Sequence, residues 1–155
     1  SPSPIPKHQY VGFQIAKQID VYLESHPIGC VLQDVDVSLG KGPQRGDLVY
    51  RPDVVFVRMD PSGKIPQRIV GAPAVVIEVA SRSSRRMDRE TKFGDYERAG
   101  VGEYWVVDPK RKSMTFYRLV DGRYTDVTPT GDSFESQSIP GFTLDLKRIR
   151  AAFEA

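Results

Sequence analysis

Cysteine is almost missing from this chain: among 155 residues there is one, Cys30. A lone cysteine excludes an internal disulfide and any cysteine-rich metal centre, and beside Val31 and Leu32 it reads as a small buried side chain. Long apolar runs are missing too. Nothing approaches the roughly 18 consecutive apolar residues of a membrane span, and no charged start followed by an apolar stretch suggests a signal peptide. No membrane partner is expected, and a cytoplasmic location follows by default. An excess of one charge is also lacking, since 22 Lys and Arg against 20 Asp and Glu leave only +2. That is too little to steer the whole molecule onto nucleic acid. There is no internal repeat and no low-complexity tract. What remains is 39% hydrophobic and 27% charged residues, enough for one soluble domain with a core over residues 7–155. Before it, Ser1-Pro2-Ser3-Pro4-Ile5-Pro6 forms a tail (residues 1–6) that cannot be helical.

Two short apolar runs each carry an acid. Ala74, Val75, Val76, Ile77, Val79 and Ala80 are small or β-branched and read as a strand buried on both faces, with Glu78 inside it. An ionised carboxylate there costs several kcal/mol unless a cation or donors compensate it. Its cause is either a structural ion pair with one of the arginines or a functional site. The second acid, Asp53 in RPDVVFVR, stands at the entrance of a strand made by Val54, Val55, Phe56 and Val57, a place where Asp is commonly just a turn residue. If the two strands pair, both carboxylates come to one point and suit a hard divalent cation. Mg²⁺ fits, because it takes one or two protein carboxylates and completes its shell with water and phosphate oxygens.

After Glu78, Ser83 or Ser84 can cap a helix from about Arg85 to Ala99 that stops at Gly100. A period of 3.6 puts Asp88, Lys92, Tyr96 and Ala99 on one face. Lys92 is then either a solvated lysine paired with Asp88 or a cation turned toward the Glu78 strand. Arg82, Arg85, Arg86 and Arg89 crowd the entrance of this helix, as a solvated charged face or as phosphate contacts beside a metal site.

The motif order resembles a known family. PD in RPDVVFV, IEVAS, a helix of pattern K-x-x-x-Y-x-x-A-G-V and EYWVVDP are similar to the Uma-type putative restriction endonucleases, a branch of the PD-(D/E)XK nuclease superfamily. The resemblance runs from about Lys7 to Leu146, and its specific part is Glu78 to Pro109. It implies a restriction-endonuclease-like α/β fold, a mixed β-sheet sandwiched with helices. It also implies a Mg²⁺- or Mn²⁺-dependent endonuclease acting on DNA. Asp53 and Glu78 would hold the metal with the main-chain carbonyl of Val79, Arg82, Arg85 and Arg86 would bind substrate, and Tyr96 could orient the catalytic lysine. That lysine normally lies two residues after the Glu, where this chain has Ala80; Lys92 is the replacement, reaching in from the helix. The family pattern also has a His at position 8, where His8 either packs near a helix start or supports catalysis. Members usually carry a further N-terminal segment with a short hairpin, whose active-site or homodimer contacts would precede Ser1.

Elsewhere, Val11, Ile15, Ile19 and Tyr22 form one stripe of a helix over residues 7–25, continued by His8. Cys30 to Leu39 alternates as a strand with one wet face, and Gly40-Lys41-Gly42-Pro43 reads as a turn. Gly102 to Asp108 is a strand parallel to the Glu78 strand, because a helix joins the two. Met114 to Leu119 and Tyr124 to Val127 make a hairpin about Asp121-Gly122. Leu144 to Phe153 closes the chain as a short helix or extended segment. Against the enzyme stands one alternative, a nuclease fold that lost its chemistry and serves nucleic-acid binding or oligomerisation. Ala80 favours that alternative, and the retained acid pair opposes it.

Overall fold

The computed structural model describes residues 5–41, 47–81 and 86–155, without the side chains of Lys41, Arg86 and Met87. Its centre is a mixed sheet of six strands: β1 (Gly29–Gln33), β4 (Val54–Arg58), β6 (Val75–Val79), β7 (Glu103–Asp108), β8 (Ser113–Val120) and β9 (Arg123–Asp126), hydrogen-bonded in that order. Within this sheet, among the described residues, only β6 and β7 run parallel, joined by helix α2 (Arg86–Ala99), as the helix-sized span between them requires. The smaller sheet contains β2 (Val37–Lys41), β3 (Asp47–Tyr50) and β5 (Ile69–Val70), with β2 in the middle. A ribbon of β10 (Ser133–Glu135) and β11 (Thr143–Asp145) leads into the last helix, α3 (Leu146–Phe153).

Side chains alternate across the large sheet, so each central strand feeds two cores. Val54, Phe56, Val75, Ile77, Val79, Trp105 and Val107 face the first helix, α1 (Pro6–Ser25), and α3, where Val11, Ile15, Ile19 and Ile149 are fully buried. Val55, Val76 and Tyr104 face α2 and the small sheet and meet Tyr96, Val101, Val37 and Ile69. The same alternation puts Glu78 on the α2 side, between the two strand neighbours that point the other way. Helix α1 follows the expected stripe, with Pro6 in its first turn, where the missing N–H is no loss. Helix α2 ends at Gly100, whose φ of 92° is left-handed and whose N–H donates to the Tyr96 carbonyl.

The expected strand Cys30 to Leu39 is two strands in two sheets. Asp34, at φ 53°, turns the chain between β1 and β2, a conformation that Asp tolerates better than most residues. Hydropathy alternation continues through the break, so it could not reveal the turn. The closing segment resolves into β11 and then α3, capped by the Asp145 carboxylate, which accepts from the N–H groups of Lys147 and Arg148. The caps expected at Ser83 or Ser84, and part of the Gly40-Pro43 turn, lie outside the described residues.

One buried acid is structural. Glu103 is fully buried, and its carboxylate accepts from Trp105 Nε1, Arg118 Nε, Ser136 Oγ and the N–H of Gln137, all between 2.7 and 3.2 Å. It ties β7 to β8 and to the loop after β10. Glu103→Gln keeps the shape but turns an amide N–H₂ toward donors. It should lower unfolding stability by about 1–3 kcal/mol, seen as an earlier urea midpoint at unchanged m-value.

Candidate active site

Strand β4 pairs antiparallel with β6, Val54 opposite Ile77, and one further step of that register brings Asp53 opposite Glu78. Hydrogen bonds seal the meeting. The Asp53 N–H donates to Glu78 Oε1 at 3.4 Å, and the Val79 N–H donates to Asp53 Oδ2 at 2.6 Å. The PD at the strand entrance and the Glu inside the next strand thus become cross-strand neighbours on the α2 face, Glu78 held by the main chain of Asp53 and Asp53 by that of Val79.

From the helix, Lys92 Nζ lies 3.0 Å from Glu78 Oε2, and the Tyr96 hydroxyl donates to the same oxygen at 3.1 Å. Among the described residues no arginine pairs with Glu78, and the ion-pair partner of Lys92 is Glu78, not Asp88. The Glu78 side chain is 12% exposed and that of Lys92 34%, so the carboxylate is withdrawn while the ammonium stays within reach of solvent. Burial pushes the Glu78 carboxyl above its usual range; the Lys92 charge pulls it down, and the Asp53 charge adds to the rise. Burial also drives the Tyr96 phenol far up, helped by the Glu78 charge, so it remains a hydrogen-bond donor at any physiological pH.

Lys92 has a second support that sequence reading missed. Its ammonium lies 5.8 Å from the centre of the Tyr50 ring, and the Tyr50 hydroxyl donates at 2.5 Å to Asp95, which in turn pairs with Arg98. Tyr50 precedes the PD by two residues and Asp95 precedes Tyr96. Both sit beside recognisable residues, but only the small sheet folding over α2 shows that they converge.

His8 enters from α1 on the other side. Its Nε2 is 2.7 Å from the Val79 carbonyl and 3.5 Å from Asp53 Oδ1. Both neighbours are acceptors, so Nε2 carries the proton. The hydrogen bond to Asp53 raises the His8 pKa against the opposing effect of burial. Its Nδ1 is buried and makes no hydrogen bond among the described residues.

A cavity of about 230 Å³ opens over these groups, walled by His8, Arg51, Asp53, Glu78, Arg89 and Lys92. Among the described residues no three His, Cys, Asp or Glu side chains converge as a metal cage. Two carboxylates, the Val79 carbonyl and open space are instead the donor set of a hard cation that completes its shell with water and phosphate oxygens. The residues present therefore fit Mg²⁺ or Mn²⁺. Asp53, Glu78, Val79, Lys92, Tyr96 and His8 are all brought together. Arg82, Arg85 and the Arg86 side chain lie outside the described residues, whereas Arg89 lines the cavity.

A crystal structure of a putative nuclease belonging to DUF820 from Anabaena variabilis ATCC 29413 is similar with a TM-score of 0.78 at 16% identity, covering 98% of this chain and 84% of that one. At such low identity the likeness establishes the fold alone. No curated protein matches the chain. The model of the Uma2 family, described as putative restriction endonuclease, matches residues 1–147. With that match over nearly its whole length, the chain belongs to the Uma2 family of putative restriction endonucleases.

Proposed function

We propose that this protein is a Mg²⁺- or Mn²⁺-dependent endonuclease that hydrolyses phosphodiester bonds in DNA. The observation that carries the reading is the Lys92 ammonium, 3.0 Å from Glu78 although it comes from a helix and not from the strand position now held by Ala80. A lysine at the acid pair supplies the cationic group that the strand lacks. Asp53, Glu78 and the Val79 carbonyl would hold the metal, which, when bound, polarises the scissile phosphate and acidifies water. Lys92 orients the attacking water by hydrogen bonding and offsets the negative charge that grows on the phosphate. Tyr96 fixes the Glu78 oxygen that Lys92 faces, so the ammonium keeps its direction when the carboxylate turns to other work. His8 holds the Val79 carbonyl and Asp53 together, which keeps the third oxygen donor beside the first two.

Metal binding itself tests this reading. Two close carboxylates repel until a cation fills the gap, so Mg²⁺ or Mn²⁺ should raise the melting temperature in a saturable way. At a metal concentration a hundred times its Kd the gain is about 2.7 kcal/mol. A melting temperature unchanged through millimolar Mg²⁺ and Mn²⁺ would oppose a metal site here.

A further inference from the structure

A second cavity, of about 420 Å³, adjoins the first: Arg89, Tyr104 and Val106 line both. Its other walls include Phe93 from α2 and Thr115 and Tyr117 from β8. Strand register fixes how far it lies from the carboxylates. Val106 stands opposite Glu78, and Thr115 stands opposite Val106, so the three occupy one row on the same face of the sheet. Two strand spacings of about 4.8 Å separate Glu78 from Thr115. At the 3.4 Å rise of a stacked strand, that row spans no more than about three nucleotides.

The chemistry of the walls is aromatic and charged. Phe93 meets the Tyr117 ring edge-on at 5.0 Å, and Tyr117 lies nearly parallel to Tyr104, with centroids 6.1 Å apart. Tyr104 is buried, but Phe93 and Tyr117, which also pack against Tyr124, are only half-buried and border the cavity. Arg89 and Arg111 add positive charge to the same walls. Two acids share these walls, Glu90 and Asp108. Asp108 is engaged, with its Oδ1 accepting from the N–H groups of Lys110 and Arg111 and its Oδ2 3.9 Å from Arg111 Nε, which leaves Arg89 as the guanidinium shared with the first cavity. Rings that can take the face of a flat heterocycle, with guanidinium groups for the phosphates on either side, make the usual platform for an unstacked base. Bases within a duplex cannot use it, because both of their faces are covered by their neighbours.

We propose that this cavity receives an unstacked nucleobase from a single-stranded segment whose neighbouring phosphate lies at Asp53 and Glu78. The proposal rests on the nuclease reading and narrows it to substrates with single-stranded character, such as flaps, frayed ends or flipped nucleotides.

Fluorescence anisotropy in Ca²⁺, with strand integrity checked on a gel, compares a labelled single-stranded 12-mer with an abasic 12-mer of equal charge. The wild-type protein should bind the base-bearing strand about tenfold more tightly, the scale of one stacked base. Tyr117→Leu should bring that ratio close to one, while Tyr117→Phe, which keeps the ring, should preserve it. Equal affinity of the wild type for both strands, no binding of either, or a ratio unaffected by Tyr117→Leu would each overturn the proposal. The wild-type comparison decides even if the leucine variant fails to fold. Cleavage of plasmid and of single-stranded circular DNA in Mg²⁺ is read separately, and either counts as cleavage. Cleavage without base discrimination removes the base site and leaves the nuclease, whereas base discrimination without cleavage keeps the base site and removes the nuclease.

Discussion

Glu78→Gln should abolish metal-dependent cleavage and leave the metal-free protein at least as stable as the wild type. Gln keeps an acceptor for Lys92 and Tyr96 but cannot supply the second carboxylate of the cation site. The stability half follows from protonation. In the folded protein the Glu78 carboxyl is raised by burial above its range in the unfolded chain. A group with a raised folded pKa favours the folded state below its unfolded pKa, and that contribution is lost as pH rises through the folded value. The ionised glutamate is therefore the strained form near neutral pH, and the neutral amide avoids that strain. The advantage of Gln should shrink as pH falls through the folded pKa and vanish below the ordinary carboxylate range of about 4. Urea unfolding of both proteins at pH 8 and pH 4 gives the comparison. A large loss of stability at pH 8 would instead mark Glu78 as one half of a structural ion pair.

Lys92→Ala should cost about 10²- to 10⁴-fold in the single-turnover cleavage rate, with metal affinity unchanged or improved. The lost cation acts on the attacking water and on the charge of the transition state, while the metal loses a competitor for Glu78. Unlike Glu78→Gln, this change should also destabilise the protein near neutral pH, because it leaves a buried carboxylate without its counter-charge. Adding Glu78→Gln should restore that stability without restoring cleavage. Tyr50→Leu, which removes the ring beneath the ammonium, should give a smaller loss of the same kind. A Lys92→Ala enzyme that cleaves at the wild-type rate would end the case for a migrated lysine.

The acid pair was legible because strand chemistry leaves few reasons for a carboxylate inside VVIEV, and because PD marks the entrance of a neighbouring strand. Helix α2 was legible through its closing Gly100 and the i, i+4 spacing of Lys92 and Tyr96. Whether Lys92 faced Glu78 or Asp88 was undetermined, since both partners suit a helix lysine and only the packing of α2 on the sheet decides. Tyr50 and Asp95 were missed for a related reason. Their partnership spans 45 residues between a short strand and a helix, and neither residue breaks a local rule. The split between β1 and β2 was invisible because the alternation of Val31, Val35, Val37 and Leu39 continues across a turn that one Asp makes. Glu103 was also passed over, although it is as thoroughly buried as any residue in the protein. At the start of a strand it resembled an ordinary boundary acid, and its partners at Arg118 and in residues 136–138 come from distant sequence.

The central claim, that Asp53, Glu78 and Lys92 form a metal-dependent hydrolytic site, meets its most direct test in a cleavage assay on supercoiled plasmid and on single-stranded circular DNA. Purified wild-type protein is incubated with each in Mg²⁺, in Mn²⁺ and in EDTA, beside Glu78→Gln prepared in the same way. The expected result is cleavage of at least one of the two DNAs by the wild type in at least one metal, none in EDTA, and none by the variant. Both DNAs intact in both metals, or equal cleavage by Glu78→Gln, would contradict it.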